Sequence, residues 1–327
     1  MKQQNFLFVD LVSSVFLLVL LIGNFMGLLY ITEGNIGISL VGSLFLVICY
    51  FFVVQLLKKN KEVMVRKNFL HSSLLFWVFF LVLGYASFNL MSHFINIEYN
   101  CKDQIKSEAT RKINLVDSLS QVYNKRAKND VLNFEAQLKT NLSKYKTAKS
   151  NKLRNELASD PFKVDSAVLS NPDFINVEEV ANAKVTPYRV KIDNNIKNIE
   201  KTIALNSKKY KSVFDNWKRL SLMATYSKLN EYVEQNTKLI NSKIEELPID
   251  KTPIKISYNK KLLPLNNPEK LNKIFHPNYI LPLIIIIVIH LFILIPFFSH
   301  KVRGYSNSGN SKKGSKGAST QRGTIEI

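Results

Sequence analysis

Four apolar runs, Phe6–Tyr30, Ile36–Leu57, Phe69–Ile95 and Ile280–Phe298, constrain this chain more than any other feature. A helix needs about 20 apolar residues to cross a bilayer, and each run is close to that length. Three of them crowd the first hundred residues. Between the third and the fourth lie about 180 polar, Lys-rich residues. The expected fold is therefore all-α: a polytopic membrane protein with four transmembrane helices and a large polar domain on one side, between helices 3 and 4.

Charge sets the expected orientation, because short loops rich in Lys and Arg stay in the cytoplasm. The first loop carries only Glu33. The second carries Lys58, Lys59, Lys61, Arg66 and Lys67 against Glu62. The segment after run four carries Lys301, Arg303, Lys312, Lys313, Lys316 and Arg322 against Glu326. All three counts put both termini and the second loop in the cytoplasm, and the large domain in the periplasm. That domain, Glu98 to His276, is itself basic, with 33 Lys and Arg against 21 Asp and Glu. Long loops translocate regardless of charge, so the surplus does not overturn the assignment. Run one is expected to be a retained helix rather than a signal peptide. Its n-region is Lys2 alone, and no small-x-small cleavage site follows it.

The large domain is expected to be helical. From Asp103 to about Ser159 there is neither Pro nor Gly. Ile113, Val116, Val131, Phe134, Leu138, Leu142 and Tyr145 fall at three-and-four spacing, with Ser120 and Ala127 interrupting the stripe. Val190 to Glu246 is more regular. Ile192, Ile196, Ile199, Ile203, Tyr210, Val213, Trp217, Leu220 and Ala224 make a coiled-coil-like seam, and Tyr226, Leu229, Val233, Ile240 and Ile244 continue on a shifted face. The simplest reading is two long antiparallel helices forming a periplasmic hairpin or stalk. A shorter bundle, with one helix broken near Asn151 or Asn206, is the other. At the tip, Ser159-Asp160-Pro161 reads as a cap with Pro in a first helical turn. Asn171-Pro172-Asp173 reads as a turn, and Val177–Val180 as a short helix that Pro187 ends. Near the membrane, Ile254–Tyr258 alternates like a strand, and Asn267-Pro268-Glu269 starts a short helix through Phe275.

The resulting organisation is 1–97 as three transmembrane helices (6–30, 36–57, 69–95) with a basic loop at 58–68. The stalk domain at 98–278 has helices at 103–159 and 190–246, a tip at 160–188 and a membrane-proximal collar at 248–278. The fourth transmembrane helix is 279–299. The tail, 300–327, is Ser-, Gly- and Lys-rich and is expected to be disordered.

Chemistry-bearing motifs are scarce. His71, His93, His276, His290 and His300 lack metal-ligand spacing, and the chain has no HExxH, CxxC, GxxxxGKS or nucleophile elbow. No catalytic residue, metal or cofactor is expected, and neither nucleic acid nor a small-molecule substrate. Cys49 and Cys101 sit at different depths, which argues against an internal disulfide. Cys101 is left as an unpaired thiol or as a partner for its own copy. Two ionisable residues within the runs are singled out, Asp10 and His290. Such residues are expensive in lipid and are functional candidates by default. They read as an intramembrane polar pair, either ion-coupled or structural. Gly23 with Gly27, and Ser39 with Ser43, are small residues four apart that favour close helix packing. Expected partners are membrane lipid, further copies of the chain and other envelope proteins.

The layout of three helices, a large helical outside domain, a fourth helix and a basic tail resembles TssN-like inner-membrane proteins of variant type VI secretion systems. The resemblance is one of architecture along the whole chain, so it carries over no site residue. It implies a non-enzymatic structural subunit of an envelope-spanning secretion machine. The alternatives are a receptor with a periplasmic helical sensing domain and, third, a transporter or pore subunit.

Overall fold

The computed structural model describes residues 8–61 and 69–300. The expected disordered tail, the first seven residues and the Arg66–Lys67 part of the basic loop lie outside the described residues. Among the described residues every regular element is helical. The chain divides into two compact units, one within Met1–Lys102 and Leu263–Ile327, the other Asp103–Leu262.

The first unit is built on four helices long and apolar enough to cross a membrane. They are α1 (Phe8–Ile31), α2 (Ile36–Lys61), α3 (Phe69–Asn96) and, after the second unit in sequence, the last helix of the chain (Ile280–Phe298). Every pair among the four is in contact. Their outward faces carry Leu18, Val41, Phe45, Leu81 and Ile284, all exposed. Their inward faces bury polar side chains with apolar ones: Ser13, Asn24, Ser39, Ser43 and Ser87 among Leu20, Tyr50, Val53 and Ile293. That distribution suits a lipid surround, where apolar surface gains nothing by hiding.

The turn from α1 to α2 has a local cause. Gly34 N–H bonds back to Leu29 O at 2.8 Å, with φ of 86° at Gly34 and 55° at Glu33. This left-handed closure satisfies the last carbonyls of α1. Asn35 Oδ1 then accepts the Ile38 N–H at 3.1 Å and starts α2.

The second unit contains α4 (Lys102–Ala148), α5 (Asn151–Ala158), α6 (Ser166–Leu169), α7 (Val177–Asp215), α8 (Arg219–Tyr226) and α9 (Leu229–Ile244). A π-helical turn, Ile97–Cys101, precedes α4. Side-chain bonds between α4 and α7 come in reverse order along the two helices: Glu135 with Arg189, Asn124 with Glu200, Asp117 with Ser207 and Lys211. Ser120 and Ala127 do not interrupt the α4 stripe. Both are buried in line with Val116, Tyr123 and Phe134, as small members of one continuous face.

Several boundaries differ from the sequence reading, each for a physical reason. The helix expected over 103–159 stops at Ala148, where Lys149 takes a φ of 50° and its N–H closes onto Tyr145 O. The helix expected over 190–246 is three helices. It breaks at Trp217, with φ of 48°, where Lys218 N–H returns to Val213 O at 2.9 Å. The break resets the helical phase. Ile192, Ile196, Ile199, Ile203, Val213 and Trp217 are buried and Tyr210 partly so, but Leu220 is exposed, as is Ala224. Leu222, Met223 and Tyr226 take the inward positions of α8 instead.

Conversely, Pro187 does not end a helix. α7 runs through it, because the proline lies on the exposed face while Ala181, Val185, Ile192 and Ile196 are buried on either side. Asp160-Pro161 lies in a turn rather than a helical start, and Pro172–Phe174 is a single 3-10 turn.

The segment Ile254–Tyr258 is not a strand. At Ile254 both backbone groups bond one side chain: Asn241 Oδ1 accepts the N–H at 2.8 Å, and Asn241 Nδ2 donates to the carbonyl at 3.1 Å. Farther on, Asn230 Nδ2 donates to Lys260 O at 2.6 Å. The chain leaving α9 is also pinned to α4. The buried Asp130 carboxylate accepts the N–H groups of Ile249 at 3.1 Å and Asp250 at 2.7 Å, and Arg126 pairs with Asp250. Back in the first unit, α10 (Pro268–Ile274) is capped by Asn267 Oδ1 on Lys270 N–H at 3.0 Å, and α11 is the last helix, Ile280–Phe298.

Replacing Asp130 by Ala removes the acceptor for two adjacent N–H groups. We expect a loss of about 1–3 kcal/mol, with faster hydrogen exchange at Ile249 and Asp250. Unchanged exchange there would show that Asp130 does not pin this segment. Arg126 holds the Asp250 carboxyl down to about 2. A depressed carboxylate stabilises the fold above its unfolded value, and that contribution is lost as pH falls through the folded one. Segment 249–252 should therefore loosen only between about pH 4 and pH 2. The effect is small, because Asp250 is partly exposed.

Candidate functional site

The two ionisable residues singled out within the apolar runs do not form a pair. Asp10 binds Lys58 Nζ at 3.3 Å, with both side chains partly exposed. Nearby, Lys61 Nζ donates to Phe297 O at 3.1 Å and lies 5.2 Å from the Phe297 ring centre. Asp10 thus belongs to a small polar cluster at one end of the bundle, where α2 gains its lysines.

His290 lies deeper, in a network that joins all four helices of the bundle. Its Nδ1 is 2.7 Å from Ile286 O, one turn earlier on α11. Its Nε2 is 2.8 Å from the Tyr50 hydroxyl on α2. Tyr50 Oη is also 3.2 Å from Ser87 Oγ on α3, and Asn24 Nδ2 on α1 donates to Ser87 Oγ at 3.0 Å. Tyr50, Ser87 and Asn24 are fully buried. Phe80 packs edge-on against both the Tyr50 and His290 rings, at 5.6 and 5.1 Å. Gly84 makes room: a Cβ there would sit 3.1 Å from His290 Nε2.

The protons of this network follow from its geometry. A carbonyl only accepts, so Nδ1 of His290 carries a proton. In the neutral ring Nε2 is then an acceptor and takes the single Tyr50 proton. In the protonated ring Nε2 donates to Tyr50 Oη, and the Tyr50 proton turns to Ser87 Oγ. Either state satisfies the ring without moving a helix. The bonds link α1, α2, α3 and α11 to one another. Asn24 Oδ1 is buried without a hydrogen-bond partner.

Tyr50, Ser87 and Asn24 were not picked out from sequence. The available signal was helical phase. Ser43, Tyr50 and Leu57 are seven apart on α2, and Phe80, Ser87 and Met91 share one face of α3; all six are buried. Gly23 and Gly27 act as small residues four apart are expected to. A Cβ at Gly23 would run into the Met91 methyl, and one at Gly27 into the Leu90 carbonyl. Ser39 and Ser43 are buried and satisfied at 2.7 and 2.9 Å by the carbonyls of Asn35 and Leu40.

Cys49 and Cys101 are both free, and Cys101 is fully buried, which leaves its thiol no route to a second copy in this fold. Among the described residues no three His, Cys, Asp or Glu side chains gather as metal ligands. Comparisons with protein-family models, curated proteins and solved structures give no match.

Tyr50→Phe should cost the bundle about 0.5–2 kcal/mol, the range for interhelical hydrogen bonds in membranes. Unfolding in mixed micelles measures this, and a change near zero would mean that the network does not hold the helices together. Gly27→Ala should be the more damaging of the two glycine variants. Its methyl meets a backbone carbonyl, whereas the methyl of Gly23→Ala meets the flexible end of Met91. Equal effects in the same assay would contradict the close α1–α3 approach.

Proposed function

We propose that this chain is a non-enzymatic, multi-pass structural subunit of an envelope-spanning complex, of the kind used by type VI-like secretion machines. In this reading it sits in the inner membrane with both termini and the 58–68 loop in the cytoplasm and residues 98–278 in the periplasm. The observation that carries the reading is the insertion of a separate compact helical unit, Asp103–Leu262, between the third and fourth membrane-length helices. A chain that enters and leaves such a unit through apolar helices presents it on one face of a membrane. Two further features support the reading. The Asn24–Ser87–Tyr50–His290 network joins all four helices of the bundle, as an anchor requires. The second unit carries Lys-rich outer faces suited to water and to protein partners. The loop charges support the orientation through the positive-inside rule. Other envelope proteins, further copies of this chain and membrane lipid are its partners in this proposal.

Cysteine accessibility tests the topology. In spheroplasts, a membrane-impermeant maleimide should label Ser170→Cys, and should label Lys59→Cys only after permeabilisation. The reverse pattern would refute the orientation. For the assembly, photocrosslinking from exposed positions of Asp103–Leu262 in living cells should capture other envelope proteins. Recovery of the chain alone, in cells that express its neighbours normally, would overturn the subunit reading.

A further inference from the structure

After α9 the chain runs from Lys251 to Leu262 without regular structure and without one buried side chain. Among the described residues this strap makes no backbone–backbone hydrogen bond. Two of its N–H groups are met locally, Thr252 by Asp250 Oδ1 at 3.2 Å and Lys261 by Asn259 Oδ1 at 2.9 Å.

One stripe of α9 seats the strap. Asn230, Glu234 and Asn241 are spaced by four and seven residues, which puts them on one face of the helix. Asn241 bonds both backbone groups of Ile254, at 2.8 and 3.1 Å. Asn230 Nδ2 donates to Lys260 O at 2.6 Å, and the Asn230 carbonyl accepts from the Tyr258 hydroxyl at 3.3 Å. Glu234 pairs with Lys260 Nζ at 2.7 Å. The orientation of Asn230 is fixed from below. Its Oδ1 accepts from the Lys112 ammonium at 2.7 Å, a group that only donates, so its NH₂ is left for the Lys260 carbonyl. Both asparagine amides thus read main chain, which every residue type carries.

The dimensions agree with an extended chain laid antiparallel along α9. Asn230 to Asn241 covers about 16 Å at 1.5 Å per residue, and Ile254 to Lys260 covers about 20 Å when extended. Ile254, Ile256 and Tyr258 are half-buried, while Lys255, Ser257 and Asn259 are exposed, so alternate residues turn inward. Main-chain bonds with alternate side chains inward are how extended peptides are recognised in general. A segment with so few buried contacts opens at lower cost than the helices it lies on.

We propose that the Asn230–Glu234–Asn241 stripe is a docking groove for an extended segment of a partner protein, and that the strap 251–262 is its resident occupant until the partner displaces it. The partner segment carries apolar residues at alternate positions and a cation to face Glu234. The groove goes beyond the role proposed above and does not depend on it.

The test uses the full chain in nanodiscs and two fluorescent peptides. One copies residues 251–262. The other is foreign: it keeps apolar residues at the positions of Ile254, Ile256 and Tyr258 and a lysine at that of Lys260, with serine elsewhere. When the strap is replaced by Gly and Ser residues of the same number, both peptides should bind, one per chain. Adding Asn241→Ala to that variant should weaken binding about tenfold, and N-methylation of the copy at the position of Ile254 should do the same, as expected for a lost main-chain bond. In the wild-type chain the tethered strap competes at an effective concentration of about millimolar. Either peptide at that level should therefore speed hydrogen exchange of the Ile254 N–H and leave exchange within α9 unchanged. No binding to the strap-replaced chain, or equal binding of the N-methylated copy, would overturn the main-chain-reading groove. Binding of the copy alone would overturn the foreign partner and leave the strap of a second copy as the occupant. Ile254 exchange that occurs only on global unfolding would show that the strap never vacates, and would overturn the proposal even if the replaced chain fails to fold.

Discussion

Inside a bilayer, apolar side chains gain nothing by hiding from their surroundings, so a bundle of apolar helices needs another reason to hold together. Here the reason is polar and steric. The Asn24–Ser87–Tyr50–His290 network ties α1, α3, α2 and α11 to one another. The absent side chains of Gly23 and Gly27 let α1 approach Met91 and the Leu90 carbonyl. The two devices depend on each other. A hydrogen bond near 3 Å between helices forms only where backbones approach closely, and close approach in lipid is worth little without a directional bond. The outward Leu, Val, Ile and Phe residues supply solubility in lipid rather than cohesion.

The second unit works by the opposite rule. Most of its apolar side chains, among them Val116, Phe134, Leu138, Ile196 and Val233, are inward, so burial of surface drives its packing. Ion pairs such as Glu135 with Lys139 and Arg189 are at least partly exposed and add little each. What makes the unit specific is a set of buried polar anchors. Lys112 is 2% exposed and holds Glu108 at 3.2 Å and Asn230 at 2.7 Å, while Tyr226 donates to Glu108. Asp130 and Asn241 capture the irregular chain after α9. A buried charge is tolerable only when paired, so these anchors fix which segments of α4, α8 and α9 can lie together.

The apolar runs were legible because length and hydropathy dominate any other signal. α11 covers the residues of run four, and the other three helices differ from their runs by a few residues. The helical character of the polar half was legible from its three-and-four spacing. Of the places where its helices stop, the alternative break near Asn151 matches the end of α4 at Ala148, but the one near Asn206 does not, since α7 runs on to Asp215. Lys149 and Trp217 adopt left-handed backbone conformations that side-chain type does not announce, since glycine is the usual residue there. Pro187 announces a stop that does not occur, because burial on both sides outweighs one missing N–H on an exposed face. The Ile254–Tyr258 alternation was real, but Asn241 takes both backbone bonds of Ile254 that a neighbouring strand would take. Of the candidate site, His290 was visible as an ionisable residue in an apolar run. Its partner was not, because a tyrosine, a serine and an asparagine acquire meaning only when helical phase brings them inward together.

His93 and His290 show the same device reaching two outcomes. Each ring gives one N–H to a backbone carbonyl, Leu265 O for His93 and Ile286 O for His290. Each therefore presents its other nitrogen as an acceptor in a buried place. For His290 the acceptor is met at 2.8 Å by Tyr50, Phe80 packs edge-on against the ring, and the bare Gly84 leaves room for it. For His93 nothing among the described residues meets the acceptor, which is itself closed off from solvent. The contrast separates a nitrogen that the fold consumes from one that it buries without a partner.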